Sequence, residues 1–280
     1  MMTEVHKLLP SKWRQILNNN YQLFKWRLQK KDHRFLPRGS SNFKTFYNAK
    51  GKEIDTAKVL NDLLENGFAV VTDLYPDTWV NSAYKKVMRY VGDYRKKKIP
   101  ESSLSQDKFG YDKNLLNTGI IRFYNVSRKI KEAGEFANNE FLKYIGELYY
   151  QKKLKLHTVI SQYNQVSKIP CRGYHVDSHV EEYKTFIYLN DVNKYNGPHT
   201  YLKGSHKLTD KLVSKLFRAY TAHNTDVSDE EAQAAGFEEV AITGKKGTVL
   251  LIDTRGIHQG GTLLKGHRAV FNTYFYVGKE

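Results

Sequence analysis

An α+β fold is expected for this 280-residue chain from three features of its sequence. Apolar residues at helical spacing dominate the first half. Runs rich in Val, Ile, Thr, Tyr and Phe dominate the second, and turns such as Asn196-Gly197-Pro198 separate them. Helices followed by strands suit a largely antiparallel sheet system covered by helices. A closed or double-sheet jelly roll is the natural home for the second half.

The elements follow in order. Leu9, Trp13, Leu17, Tyr21, Phe24 and Leu28 recur every three or four residues, so 11–31 reads as a helix that Ser11 could cap. Lys12, Arg14, Lys25, Arg27, Lys30 and Lys31 lie among them. A basic amphipathic helix with Trp can lie on a membrane surface, although core packing is the commoner use of such a stripe. Residues 36–53 read as a polar loop. A helix at 55–65 feeds an apolar strand at 67–71, and a second helix covers about 79–97. Strands are expected at 119–126, 154–163, 183–189, 248–253 and 270–277. Residues 209–236, with helix-like pieces around 210–220 and 228–235, read as an insertion over one end of the barrel. The expected organisation is a basic helical extension over 1–53, followed by one domain over 54–280.

Composition narrows the class. Twenty Tyr and 13% aromatic residues argue against disorder. Cys171 is the one cysteine, so no internal disulfide forms, which fits a reducing compartment and an expected cytoplasmic location. No apolar run approaches the roughly 18 residues of a membrane span, and the N-terminus lacks the apolar block of a signal peptide. The net charge is +16. Residues 1–50 hold eleven Lys/Arg against two Asp/Glu, a balance of +9, and Arg95-Lys96-Lys97-Lys98 forms a second basic block. This balance favours anionic partners, such as a small or lipid-linked anionic substrate, or is simply a solvated basic face.

His175-Val176-Asp177 places an imidazole and a carboxylate two residues apart, on one face of a strand. Among 10 His, such a triplet alone is weak evidence. His258 is the best third ligand, because it follows a clear strand and turn at 247–253. Two His and one carboxylate on one face, with the opposite face open, is the geometry of non-haem Fe(II) oxygenases. Arg268 comes ten residues after His258, where its guanidinium could clamp a dicarboxylate in bidentate fashion.

These residues, with the run from Asn196-Gly197-Pro198-His199 to Gly204-Ser205-His206-Lys207, resemble the phytanoyl-CoA dioxygenase (PhyH) superfamily over about 162–277. The stretch 63–75 resembles the family's opening helix and strand. Lys203 stands where the family usually has Pro. The resemblance implies a double-stranded β-helix, a cupin-like jelly-roll barrel buttressed by N-terminal helices. It implies Fe(II) on His175, Asp177 and His258, and 2-oxoglutarate chelating the iron with its far carboxylate on Arg268. It also implies O2-dependent conversion of 2-oxoglutarate to succinate and CO2, usually with hydroxylation of a second substrate. Related halogenases lack the carboxylate ligand, so Asp177 favours hydroxylation.

Other residues carry weaker expectations. His179 is a candidate for facing the substrate. Gln162 and Thr185 are candidates to bond a 2-oxoglutarate carboxylate, and Phe186 could pack beside it, although plain core packing is the commoner use of such a residue. His206 reads as structural, His199 and His223 as loop residues, and His267 as pointing away from the barrel interior. A nucleic-acid oxygenase or demethylase of the AlkB type is a competing reading prompted by the charge. Such proteins carry a second Arg six residues after the first, where this chain has Tyr274, and no named nucleic-acid module is present. A non-catalytic jelly-roll binding protein is a third reading, against which the complete triad and Arg268 argue.

Overall fold

The structure, a computed structural model, describes residues 43–278 except 104, 107, 116–118, 168–172, 178–180 and 208–225. The expected helix at 11–31 with its membrane contact, the first helix-like piece of the insertion, Cys171, His179 and His223 all lie outside the described residues.

Helix α1 (Thr56–Asn66) begins where the Asp55 side chain accepts the Lys58 N–H, and buries Val59, Leu60 and Leu63. It ends at Gly67, whose φ of +84° a residue with a Cβ would adopt only under strain. The chain turns there directly into β1 (Phe68–Val71), and the Gly67 carbonyl accepts the Asp253 N–H at 2.9 Å. Helix α2 (Asp77–Arg95) buries Val80, Ala83, Val87 and Val91 along one stripe. After the short β2 (Glu101–Ser102), β3 (Gly110–Asp112) and β4 (Ile120–Tyr124) come two helices that the sequence reading passed over. These are α3 (Lys131–Ala137) and α4 (Glu140–Tyr150), the latter capped by the Asn139 side chain.

The long strands β5 (Leu154–Gln165), β6 (Glu182–Tyr188), β9 (Val249–Asp253) and β11 (His267–Val277) build an eight-stranded sheet ordered β1-β9-β6-β11-β5-β4-β3-β2. A smaller sheet holds β10 (His258–Gly260), β7 (His199–Leu202) and β8 (Glu239–Ile242), in the order β10-β7-β8. His175 extends it by a single antiparallel bridge to His258. Helix α5 (Asp229–Ala234), held by a Ser228/Glu231 capping box, lies where the second helix-like piece was expected. The two facing sheets are the walls of the expected jelly roll, with helices buttressing the larger one.

Strand alternation decides what each face does. Tyr183, Ile187, Leu251, Ala269, Phe271 and Phe275 pack outward against the helices in the main core. Between the sheets, Phe68, Tyr188, Val192, Tyr201, Leu250 and Val270 form a separate apolar cluster. This cluster fills only part of the interior. Elsewhere the inner faces are polar, and they enclose the cavity described below.

His206, read as structural, is buried, and its Nε2 donates to the Leu64 carbonyl at 2.9 Å. Burial depresses the imidazole to about 4 from its ordinary 6.5, although Asp253 opposes the shift. Between those values the unfolded chain holds more protons than the folded one, so stability falls as pH falls, by up to about 3 kcal/mol. The urea midpoint should therefore drop from pH 6.5 to 4 more steeply in the wild type than in His206→Gln, whose amide can bond Leu64 without titrating. Parallel slopes would remove His206 as a source of acid sensitivity.

Candidate metal centre and its cavity

The turn after β9 is held by a buried ion pair. Arg255 Nε and Nη2 donate to Asp253 at 3.0 and 2.5 Å, and both side chains are at most 4% exposed. Tyr149 Oη donates to the Asp253 carboxylate, and Tyr201 Oη to its backbone carbonyl, each at 2.7 Å. Burial alone would raise the Asp253 carboxyl, but Arg255 holds it down at about 2. On this base, the Thr254 carbonyl accepts the Asp177 N–H at 3.1 Å. His175 and His258 exchange two backbone hydrogen bonds, at 2.9 and 3.0 Å. All three expected ligands are thereby gathered by main chain.

Their side chains converge. His258 Nε2 lies 3.3 Å from Asp177 Oδ2, and His175 Nε2 lies 3.6 Å from Asp177 Oδ1. These three residues are the one cluster among the described residues whose donor atoms could share an ion. Adjacent ligands with bonds of about 2.1 Å stand about 3 Å apart, so the spacing suits a single ion. The tautomers suit it too. His175 Nδ1 faces the Gly173 carbonyl at 2.8 Å, and His258 Nδ1 the Gly256 carbonyl at 2.9 Å. A carbonyl only accepts, so each Nδ1 carries the proton and each Nε2 offers its lone pair to the centre. Burial lowers the His175 imidazole, and the neighbouring His258 lowers it further. Burial would raise Asp177, but Lys184, His258 and His175 draw it well below the ordinary range.

The centre opens into a cavity of about 410 Å³ between the sheets. Arg268 lines it from β11, buried, with Nη1 donating to the Gly197 carbonyl. A Cβ on Gly260 would come within 3.3 Å of Arg268 Nη2, so glycine keeps room for the guanidinium. The cavity therefore holds the metal ligands and the expected carboxylate clamp together. Gln162 also lines it, but its Oε1 accepts from Arg122 Nη2 at 3.0 Å and its Nε2 donates to Asn164 at 3.0 Å.

Two expectations need correction. Thr185 does not face the cavity. It shares the helix-side parity of Tyr183 and Ile187, and its Oγ1 is bonded to Thr273 Oγ1 at 2.6 Å. Its neighbours Lys184 and Phe186 line the cavity instead. His199 is not a loop residue. It opens β7, is 7% exposed, and its ring lies 5.3 Å from that of His258. Burial, then His258 and Arg268, push its imidazole well below the ordinary range. By contrast, His267 faces outward as expected, between the rings of Tyr84 and Tyr163.

The sequence reading also missed Lys184. Its Nζ lies 2.7 Å from Asp177 Oδ2, 3.0 Å from Glu182 Oε1 and 3.9 Å from the centre of the Tyr274 ring. Burial would lower this ammonium, yet Tyr274, Asp177 and Glu182 hold it above its ordinary range. A lysine inside the strand Tyr183-Lys184-Thr185-Phe186-Ile187 was the available signal, since lysine is rarely buried without a partner.

A jelly-roll barrel with two His and one carboxylate at an open centre, and a buried arginine in the same cavity, defines a non-haem iron oxygenase. The profile of the phytanoyl-CoA dioxygenase (PhyH) family matches residues 63–264, and the chain belongs to that family. Membership adds 2-oxoglutarate to the iron, and the chain is a 2-oxoglutarate-dependent dioxygenase. This sets aside the reading as a non-catalytic binding module. No curated protein matches the chain. Solved structures share its fold at low identity. AviO1 from Streptomyces viridochromogenes Tue57 is 15% identical over 79% of this chain and 94% of its own, with a TM-score of 0.57. SnoK, a non-heme alpha ketoglutarate dependent carbocyclase from nogalamycin biosynthesis, is 13% identical over 78% and 82%, also at 0.57. EctD from S. alaskensis, solved with 2-oxoglutarate and 5-hydroxyectoine, is 17% identical over 86% of each chain, at 0.57. No helix among the described residues is long and apolar enough to cross a membrane.

Proposed function

We propose that the chain hydroxylates a small, polar substrate bearing an anionic group, while 2-oxoglutarate is consumed to succinate and CO2. The observation that carries this reading is the charge facing the cavity. Arg122, Lys184 and Arg268 line it against Asp177 and Glu182, which leaves one cation over in the lining, Arg122, with the buried Asp112 behind it at 3.6 Å as a loose partner. A divalent ion would add two charges and a dianionic co-substrate would remove them. The surplus is then left for the second substrate. A guanidinium that is only loosely paired in a partly desolvated site favours a substrate carrying the opposite sign. The lining holds one aliphatic side chain, Ile120, and the rings of Phe186, Tyr274 and Tyr276 among charged, imidazole and amide groups, so the cavity suits a polar molecule better than a long acyl chain. The same recognition serves a free anion or the head of a lipid-linked one.

His175, Asp177 and His258 hold the iron in this scheme, and Arg268 holds the far carboxylate of 2-oxoglutarate. Iron with 2-oxoglutarate and O2 supplies the oxidising chemistry, and the protein residues position both substrates and limit water. Arg122 is the candidate for the substrate's anionic group. Its side chain keeps 25% exposure and is steadied by Gln162 and by Asp112 at 3.6 Å. EctD, solved with 5-hydroxyectoine, is a precedent for a small polar molecule held in this fold.

The experiment is succinate release from 2-oxoglutarate in the presence of matched anionic and neutral polar compounds. Anionic members should stimulate release. Arg122→Gln should raise their KM about tenfold or more, the loss expected for a hydrogen bond to a charged group. Stimulation by neutral members alone, or an unchanged KM in Arg122→Gln, would sink the anionic reading.

A further inference from the structure

His199 is buried in the cavity wall, and its Nε2 has no hydrogen-bond partner among the described residues. A buried polar nitrogen is ordinarily satisfied, so an unsatisfied one on a residue in the wall of a ligand cavity points to a ligand atom. The ring is held in place. Its backbone N–H donates to Tyr188 Oη at 3.2 Å, and the imidazole is packed against Phe186 at 5.2 Å and His258 at 5.3 Å between ring centres. His199 does not belong to the cluster of atoms that could share the ion. It sits instead beside the path leading away from that cluster. Across the ladder from His199 stands Gly260, the residue against which Arg268 Nη2 closely packs. A dicarboxylate chelated at the iron and clamped at Arg268 must cross this strip.

We infer that His199 Nε2–H donates a hydrogen bond to a carboxylate oxygen of bound 2-oxoglutarate, making His199 a co-substrate-binding residue. The inference rests on the iron and 2-oxoglutarate reading of the site. It assigns to His199 a part that neither the metal ligands nor Arg268 play, because His199 would fix how the co-substrate lies between its two anchors.

The test is an anaerobic titration of 2-oxoglutarate into Fe(II)-loaded protein, following the visible charge-transfer band that appears on chelation. Wild type is compared with His199→Leu, which keeps bulk but removes the bond, and His199→Gln, which retains an N–H of similar reach. Iron binding is measured separately without co-substrate. His199→Leu should bind 2-oxoglutarate about tenfold or more weaker, with iron affinity unchanged, while His199→Gln stays within about threefold of wild type. Wild-type affinity in His199→Leu would overturn the inference, and so would equal losses in both variants, which would make the residue simple packing. If His199→Leu fails to fold, the comparison of His199→Gln with His199→Asn, whose shorter amide cannot reach, decides in its place. Equal affinity in that pair would overturn the inference. A wild-type protein that gives no band at all would instead remove the underlying reading of the site.

Discussion

Asp177→Ala should lose iron affinity and turnover by more than about 100-fold, since loss of even an outer-shell partner costs 10- to 100-fold and Asp177 supplies the anionic ligand itself. The substitution does a second thing. Lys184 Nζ, 2.7 Å from Asp177 Oδ2, would keep only Glu182 as an anionic partner. Breaking one side of a buried ion pair costs about 3–5 kcal/mol, so part of any loss of activity would be loss of folded protein. His258→Ala separates the two effects. Its ring touches neither Lys184 nor Glu182 by any ion pair, and it should lose iron to a similar degree while melting closer to wild type. Iron content after desalting and thermal melts of both variants provide the check. If purified His258→Ala retained full iron and full 2-oxoglutarate consumption, His258 would not be the third ligand.

Arg268→Ala should weaken 2-oxoglutarate binding by about 2–5 kcal/mol, which is roughly 30- to several thousand-fold. Arg268 is 5% exposed and shares its cavity with the metal ligands, so a carboxylate bound there would be largely desolvated. Arg268→Lys should recover only part of the loss, because an ammonium lacks the planar fork that meets two carboxylate oxygens at once. The Kd for 2-oxoglutarate, measured without O2, is the decisive quantity. An unchanged Kd in Arg268→Ala would remove the assignment of this residue to the co-substrate.

The metal centre was legible because its chemistry is local in sequence. The two-residue spacing keeps His175 and Asp177 close, although the structure gives His175 isolated bridges and not the expected strand, and the strand at 249–253 announces the turn that delivers His258. The long apolar strands and α1, β1 and α2 were legible for a similar reason, as each shows its period within one window. Helices α3 and α4 were readable but passed over. Phe141, Leu142, Ile145 and Tyr149 follow a helical stripe behind the Asn139 cap, although the Asn138-Asn139 break divides the segment into short pieces. Thr185 was misassigned by one residue of parity, which in a strand is the whole difference between cavity and core. His199 was hidden by its flanks. Gly197-Pro198 signals a turn, and nothing local says that the next residue enters a strand opposite Gly260. The Asp253–Arg255 pair and the contact of Lys184 with Asp177 are local in sequence, two and seven residues apart, but their weight depends on burial, which the sequence window does not display.

The backbone pairing of His175 with His258 also bears on chain entropy. These residues are 258 − 175 = 83 positions apart, yet two main-chain hydrogen bonds hold them side by side. Bringing together the ends of a flexible loop of that length costs roughly 4 kcal/mol beyond a fixed term. That cost falls on folding of the barrel and not on capture of the ion. An arriving ion meets donors already at high effective concentration, so its affinity reflects coordination alone and is little diminished by ordering of the chain.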